Sequence, residues 1–338
     1  MTAPRRAGPS IAEPSLAVSR SALLLAYLVA GSAAFTAAVL LRLRAPGIHP
    51  VLAAAAADLV AMLAVFFFSV GFDNSSIYDP YWSVAPVPIA LSWLLFQGAA
   101  GVRLRQIVVI VLLAAWAIRL TTNCIVRWQG LEHEDWRYAG YRRLGAGYWP
   151  VSFLGFHLMP TILVFLGCVP LWPALTAAGR GVGFLDLAAL AVTVGAIGLE
   201  AAADLQLARF LDRPRGRRRL IDEGLWAHVR HPNYLGEILF WWGLWLFGLA
   251  ADPSWWGTIA GPASITLMFA LISVPMMDRH LLEGRPGYAR RMRDLPALLP
   301  RLRRRAQPGP LRSTRGQSSR AVRQASPRRA TASSTMAR

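Results

Sequence analysis

The chain has 338 residues, 55% of them hydrophobic, with a mean hydropathy of +0.39 and a net charge of +18 at neutral pH. That balance excludes an ordinary soluble domain and makes an all-α polytopic membrane protein the first expectation. Every one of the 36 basic residues is arginine; eleven of them, and no acid, lie in Arg301–Arg338, so eleven of the eighteen net positive charges belong to that tail.

Residues 1–20 carry prolines and Glu13, which make a poor signal peptide, so a retained cytoplasmic N-terminal arm is expected. A membrane domain follows over residues 21–300. Within it about eight apolar runs are long enough to cross a bilayer: 21–41, 51–72, 84–102, 106–121, 151–172, 184–207, 234–250 and 255–274. Residues 301–338, basic and rich in Pro, Ser and Gly, have no apolar periodicity and read as a disordered tail. Its arginines suit anionic lipid head groups, and its lack of aromatics argues against specific nucleic-acid binding. Cys124 and Cys168 stand alone, with no CxxC and no Cys–His grouping, and His133, His228, His231 and His280 have no ligand spacing; neither a disulfide framework nor a metal site is expected.

The arginine bias orients the spans. With Arg5, Arg6 and Arg20 in the cytoplasm, alternating crossings place the arginines of 127–143, of 209–230 and of the C-terminus on that same side. Arg42, Arg44, Arg103, Arg105 and Arg180 are left outside.

Acids inside the spans are the next signal. An aspartate at mid-helix costs roughly 2.5–3.5 kcal/mol on insertion scales, so Asp58, Glu200, Asp204 and Glu237 each need compensation. Glu200 and Asp204 are four apart and share a helical face, where they can meet Asn233 and Glu237 from the next helix. Interhelical pairing with Arg119 or Arg127 is the structural alternative to a polar pocket. Two loops add further polar groups. Residues 74–82 (Asn-Ser-Ser-Ile-Tyr-Asp-Pro-Tyr-Trp) have the chemistry of a turn, yet Tyr78, Asp79, Tyr81 and Trp82 can also line a cavity mouth. Residues 127–138 mix both charges with aromatics, as a solvated loop of surface ion pairs does.

The most distinctive stretch is 224–237, Gly-Leu-Trp-Ala-His-Val-Arg-His-Pro-Asn-Tyr-Leu-Gly-Glu. Pro232 suits the first turn of a helix, which puts Asn233 and Glu237 one above the other at the membrane rim, beside Arg230 and His231. An amide and a carboxylate so placed can bind a polar head group such as a nucleotide.

With Glu200, Asp204 and Gln206 before it and the loops 74–82 and 134–138, this stretch resembles the steroid 5α-reductase superfamily, in particular a bacterial membrane branch known only as a domain of unknown function. The resemblance covers about residues 73–300. It implies a multi-helix membrane enzyme that uses NADPH to reduce a carbon–carbon double bond conjugated to a carbonyl in a lipophilic substrate, in a bacterial plasma membrane with both termini cytoplasmic. By match, Asn233 and Glu237 hold the nicotinamide end with Asp204 on the preceding helix. His231 and Tyr234 belong to the same segment, and Arg230, Arg285 and Tyr288 are candidates for the phosphates and adenosine. Steroid-reducing members place a glutamate and a tyrosine around the substrate carbonyl in their N-terminal helices, whereas this chain has no glutamate between Glu13 and Glu132. By position the donor role falls to Tyr78, Asp79 and Tyr81. The Arg-His-Pro-x-Tyr core is also similar to isoprenylcysteine carboxyl methyltransferases, which implies S-adenosylmethionine as the alternative cofactor.

Overall fold

The apolar runs become helices, and among the described residues there is no strand. The computed structural model describes residues 16–96, 101–214, 216 and 219–300; most of the N-terminal arm and the whole of Arg301–Arg338 lie outside the described residues. In chain order the helices are α1 (Leu16–Arg44), α2 (Pro50–Gly71), α3 (Pro86–Phe96), α4 (Arg103–Arg127), a run of helical segments α5 (Arg142–Thr176), α6 (Phe184–Leu211), α7 (Pro232–Ala251), a second run α8 (Pro253–Gly284) and the short α9 (Tyr288–Asp294). All but α3 and α9 are long and apolar enough to cross a membrane, seven among the described residues. The chain is an integral membrane protein built as an all-α bundle.

Seven of the eight expected spans fall on these helices; the one over 84–102 differs. Pro86 opens α3 and Pro88 follows, so the described helix has 11 residues, yet it carries the chain from the 74–82 loop back to the far end of α2, where the Trp93 indole N–H donates to the Pro50 carbonyl at 3.3 Å. Residues 97–100 of that run lie outside the described residues.

Two helix starts have a clear local cause. Pro50 and Pro232 occupy first-turn positions, where a missing N–H loses nothing, and His49 caps α2 by accepting from the Val51 amide at 3.2 Å. Ser19, Leu23, Ala26 and Ala30 form the buried seam of α1, at helical spacing, while Leu24, Leu25, Leu28, Phe35 and Leu40 are exposed. In lipid that exposure has no hydrophobic cost.

The closest helix pair is α6 and α7. A Cβ on Gly236 would lie 2.6 Å from Glu200 Cβ, and one on Gly243 would lie 2.2 Å from Thr193 Oγ1. These two glycines, seven apart on α7, bring its backbone against Glu200 and Thr193, seven apart on α6. Gly195 and Gly198 on α6 have nothing within 4 Å of a built Cβ. Gly243→Ala should therefore lower the melting temperature of the detergent-solubilised protein, by overpacking worth about 1–3 kcal/mol. Gly198→Ala should leave it unchanged or raise it slightly, because alanine is the better helix former. Equal behaviour of the two variants would remove the close-packing account of this interface.

Candidate functional site

A polar ladder climbs one face of α4. Trp116, Arg119, Asn123 and Arg127 are spaced three, four and four apart, so they stack over about 16 Å of helix. At the bottom, the Trp116 indole N–H donates to Glu237 Oε2 at 2.9 Å, and Trp241, one turn along α7, donates to Glu237 Oε1 at 2.8 Å. Stacking on Phe240, with ring centroids 4.4 Å apart, fixes the Trp116 ring. One turn up, Arg119 pairs with Glu200 at 2.6 Å and with Asp204 at 2.9 Å, and Asn123 Nδ2 donates to Asp204 at 3.0 Å. The acids of α6 thus find the interhelical partner expected in Arg119, while Arg127 makes no ion pair among the described residues.

Beside this ladder lies a cavity of about 620 Å³, within the usual ~300–1,000 Å³ range of ligand pockets. It runs from the exposed Arg127, Gln129 and His133 down to the buried Glu200 and Glu237. Asp204, Asn233 and Tyr234 line its inner part, so Asn233, Glu237, Asp204 and Tyr234 of the expected cofactor set are brought together. Phe269, Ser273 and Met276 form the facing wall; the first two bound a π-helical segment, Phe269–Ser273, of the kind that often marks functional positions. The Asn233 Oδ1 and the Trp128 Nε1 are sealed from solvent without a hydrogen-bond partner, and both residues line this cavity.

The mouth is built by the two loops locking together. Asn74 caps the turn Ser75–Tyr78 and donates to the carbonyls of Leu131 (2.6 Å) and His133 (3.2 Å). Glu134 accepts from the Ser75 amide, the Tyr148 hydroxyl and both Nε and Nη2 of Arg142. Arg142 also grips Asp73, whose φ of 50° is a left-handed conformation that aspartate tolerates better than most residues. Residues 127–138 are therefore a half-buried partner of the 74–82 loop instead of a solvated ion-pair loop. Burial would raise the Glu134 carboxyl, but the Arg142, Ser75 and Tyr148 hydrogen bonds hold it below its ordinary value.

Of the expected donors, Asp79 lines the cavity; Tyr78 and Tyr81 do not. Tyr78 is spent on Thr161 at 2.8 Å and Tyr81 on Asp58 Oδ1 at 2.6 Å, their rings stacked inside the bundle. The mid-helix Asp58 is thus answered by a phenol. Asp79 has a different phenol for a partner, Tyr138, whose hydroxyl donates to it at 2.5 Å, and Arg137 Nη2 lies 3.1 Å away. Burial pushes the Asp79 carboxyl up, against the opposing pull of Arg137 and Tyr138.

Arg230, His231 and Tyr288 are also placed elsewhere than expected. All three converge on Asp278: Arg230 Nη2 at 2.8 Å, His231 Nε2 at 2.9 Å and the Tyr288 hydroxyl. Arg230 further donates to the Leu295 carbonyl at 2.6 Å. They tie the end of α8, α9 and the entry to α7 together, and none lines the cavity. Arg285 sits half-exposed at the cap of α8, also outside it. Sequence reasoning missed Trp116, Trp241, Asn123 and Tyr138. The signal for the first three was present: polar and indole groups on one stripe of α4, and a tryptophan one turn after Glu237. Among the described residues no group of three or more His, Cys, Asp or Glu side chains could hold a metal ion.

The loop lock has a pH signature. A carboxyl held below its ordinary value of about 4.3 stabilises the fold above that pH and loses its contribution as pH falls through the depressed value. The melting temperature of the native chain should fall more steeply from pH 5 to pH 3 than that of Glu134→Gln, the two converging at the acid end; parallel curves would remove Glu134 from the lock.

The comparisons with known proteins give a family and no reaction. The chain is 27% identical over 210 residues to the "Uncharacterized protein C594.04c" of Schizosaccharomyces pombe, an alignment that takes in 55% of this chain and 61% of that protein. No solved structure matches. The profile of the family described as "Protein of unknown function (DUF1295)" matches residues 65–293, which include both mouth loops, all of the α4 ladder and the Asn233–Glu237 turn, and the chain belongs to that family.

Proposed function

We propose that the protein is a membrane-embedded reductase that uses NADPH to saturate a carbon–carbon double bond conjugated to a carbonyl in a lipophilic substrate. The observation that carries this reading is that one cavity joins the Asn233–Glu237–Asp204 set to a part-buried acid–phenol pair, Asp79 with Tyr138. The residues present fit the cofactor at its nicotinamide end. Asn233 Oδ1 is a sealed acceptor without a donor, the complement of a carboxamide N–H. With Arg230 and Tyr288 committed to Asp278, the phosphates fall to Arg127, with Gln129 and His133, at the exposed mouth.

Bound NADPH would supply the hydride for the β-carbon of the substrate. The chain's own contribution is electrostatic: negative charge collects on the substrate carbonyl oxygen, and Asp79, whose carboxyl burial pushes up against the pull of Arg137 and Tyr138, stands beside the cavity with the Tyr138 phenol as its proton-donor pair. Arg137 fixes the pair from the side. The apolar wall of Phe269 and Met276 suits a steroid-like, isoprenoid or fatty substrate.

A bacterial plasma membrane with the termini in the cytoplasm puts this mouth on the side of the NADPH pool. Arg105, one of the arginines that the charge bias leaves outside, supports that orientation, because it is buried in a bidentate pair with Asp186 at 2.6 and 3.0 Å and presents no free charge. The methyltransferase alternative has one observation in its favour, the excess of carboxylates at the inner end of the cavity, but leaves the Asp79–Tyr138 pair without a task.

Asn233→Ala and Glu237→Ala should each weaken NADPH binding to the purified protein by about tenfold or more, the value of a hydrogen bond to a buried charged group. NADPH should also shield Cys124, which lines the cavity, from a thiol reagent that cannot reach the fully buried Cys168. Unchanged affinity in both variants together with unshielded Cys124 would overturn the cofactor assignment. With an enone substrate in hand, Asp79→Asn should lower turnover far more than NADPH affinity; full turnover would remove Asp79 as the donor.

A further inference from the structure

We propose that the inner end of the cavity binds a delocalised organic cation, so that a cofactor taken there is held more tightly in its positively charged form than in its neutral one. Glu200, Asp204 and Glu237 meet there with one arginine, Arg119, to balance them. Glu237 has an indole N–H on each oxygen, donors that suit a carboxylate. Even with one of the three acids protonated, a negative charge remains unmatched inside an apolar bundle, where such an imbalance costs several kcal/mol. A ligand's positive charge removes it.

Two further groups point to a ligand independently of charge. Trp128 is only 8% exposed and its indole N–H has no acceptor, and Asn233 Oδ1 has no donor; both line the same cavity. Each is a polar atom out of water, left for a molecule that carries both an acceptor and a donor. The aromatic residues Trp82, Tyr234 and Phe269 also line this cavity, a lining that suits a flat or soft cation. A metal ion does not fit, since among the described residues no three His, Cys, Asp or Glu side chains are placed to hold one, and both Glu237 oxygens accept from indoles.

This inference rests on the cavity and not on the reductase reading. Two cofactor chemistries carry such a head: the pyridinium ring of oxidised nicotinamide and the sulfonium of S-adenosylmethionine. Titration calorimetry of the purified full chain with NADP+, NADPH, S-adenosylmethionine and S-adenosylhomocysteine separates them. NADP+ is expected to bind at least about tenfold more tightly than NADPH, the effect of one added charge near unbalanced carboxylates. Asp204→Asn and Glu237→Gln, each checked for an unchanged helical spectrum, should draw that ratio toward one. Preference for S-adenosylmethionine over its neutral thioether, with both nicotinamide forms silent, would support the cation site and overturn the reductase. NADPH bound as tightly as NADP+ would overturn the cation site and leave the reductase standing. A ratio unmoved in both variants, or silence of all four compounds, would also overturn the cation site.

Discussion

Three carboxylates on two neighbouring membrane helices, with a single arginine between them, set the terms for the rest of this structure. Each acid costs a few kcal/mol to place in an apolar span, and the bundle answers with a third helix, α4, whose one polar stripe brings Trp116, Arg119 and Asn123 to them. The glycines of α7 follow from the same constraint. Gly236 lies against Glu200 because any side chain there would hold α6 and α7 apart and leave Glu200 away from Glu237. One arginine answers three acids, and those acids line a cavity. A structural ion-pair network gains nothing by leaving space beside it; a binding site needs it.

The mouth of that cavity shows how composition misleads about location. Residues 127–138 carry the charge mixture of a surface loop, yet three of those charges are committed inward: Glu134 to Ser75, Tyr148 and Arg142, Asp135 and Arg137 to each other, and Arg137 also to Asp79. Isolated exposed pairs contribute little. Hydrogen bonds from backbone amides and from a bidentate guanidinium to half-buried carboxylates contribute more and hold direction. The result is a rim stiff enough to keep Asp79 beside the cavity although no helix carries it.

What the sequence disclosed and what it hid divide along the range of the interactions. Helix positions were legible because apolar runs of bilayer length have one solution in lipid, and the one described helix shorter than expected, in the run 84–102, lies where Pro86 and Pro88 interrupt the pattern. The pairing of Glu200 and Asp204 with Asn233 and Glu237 was legible from four-residue spacing on adjacent helices. Tyr78 and Tyr81 were misjudged because chain neighbours of Asp79 do not share its direction: a turn followed by a helix points them into the bundle, to Thr161 and Asp58. Tyr138, 59 residues away, takes their place beside Asp79, and no local pattern reports a contact at that separation.

The segment from Arg230 to Glu237 resolves into two jobs that its compactness conceals. Arg230 and His231 face Asp278, and their backbone amides donate to Pro296 and Ala297 at 3.0 Å, so the chain entering α7 is fixed on both sides. Pro232 then starts the helix with its first turn in a set orientation, and the ring of Tyr234 stacks on His231. Asn233 and Glu237, one turn apart, are thereby aimed at the cavity by contacts they do not themselves make. A nucleotide-binding role for the arginine and a positioning role for it call for the same residue type in the same short motif. The carboxylate of Asp278 decides between them, because a guanidinium with two of its nitrogens on a buried acid and a third on the Leu295 carbonyl has no face left for a phosphate.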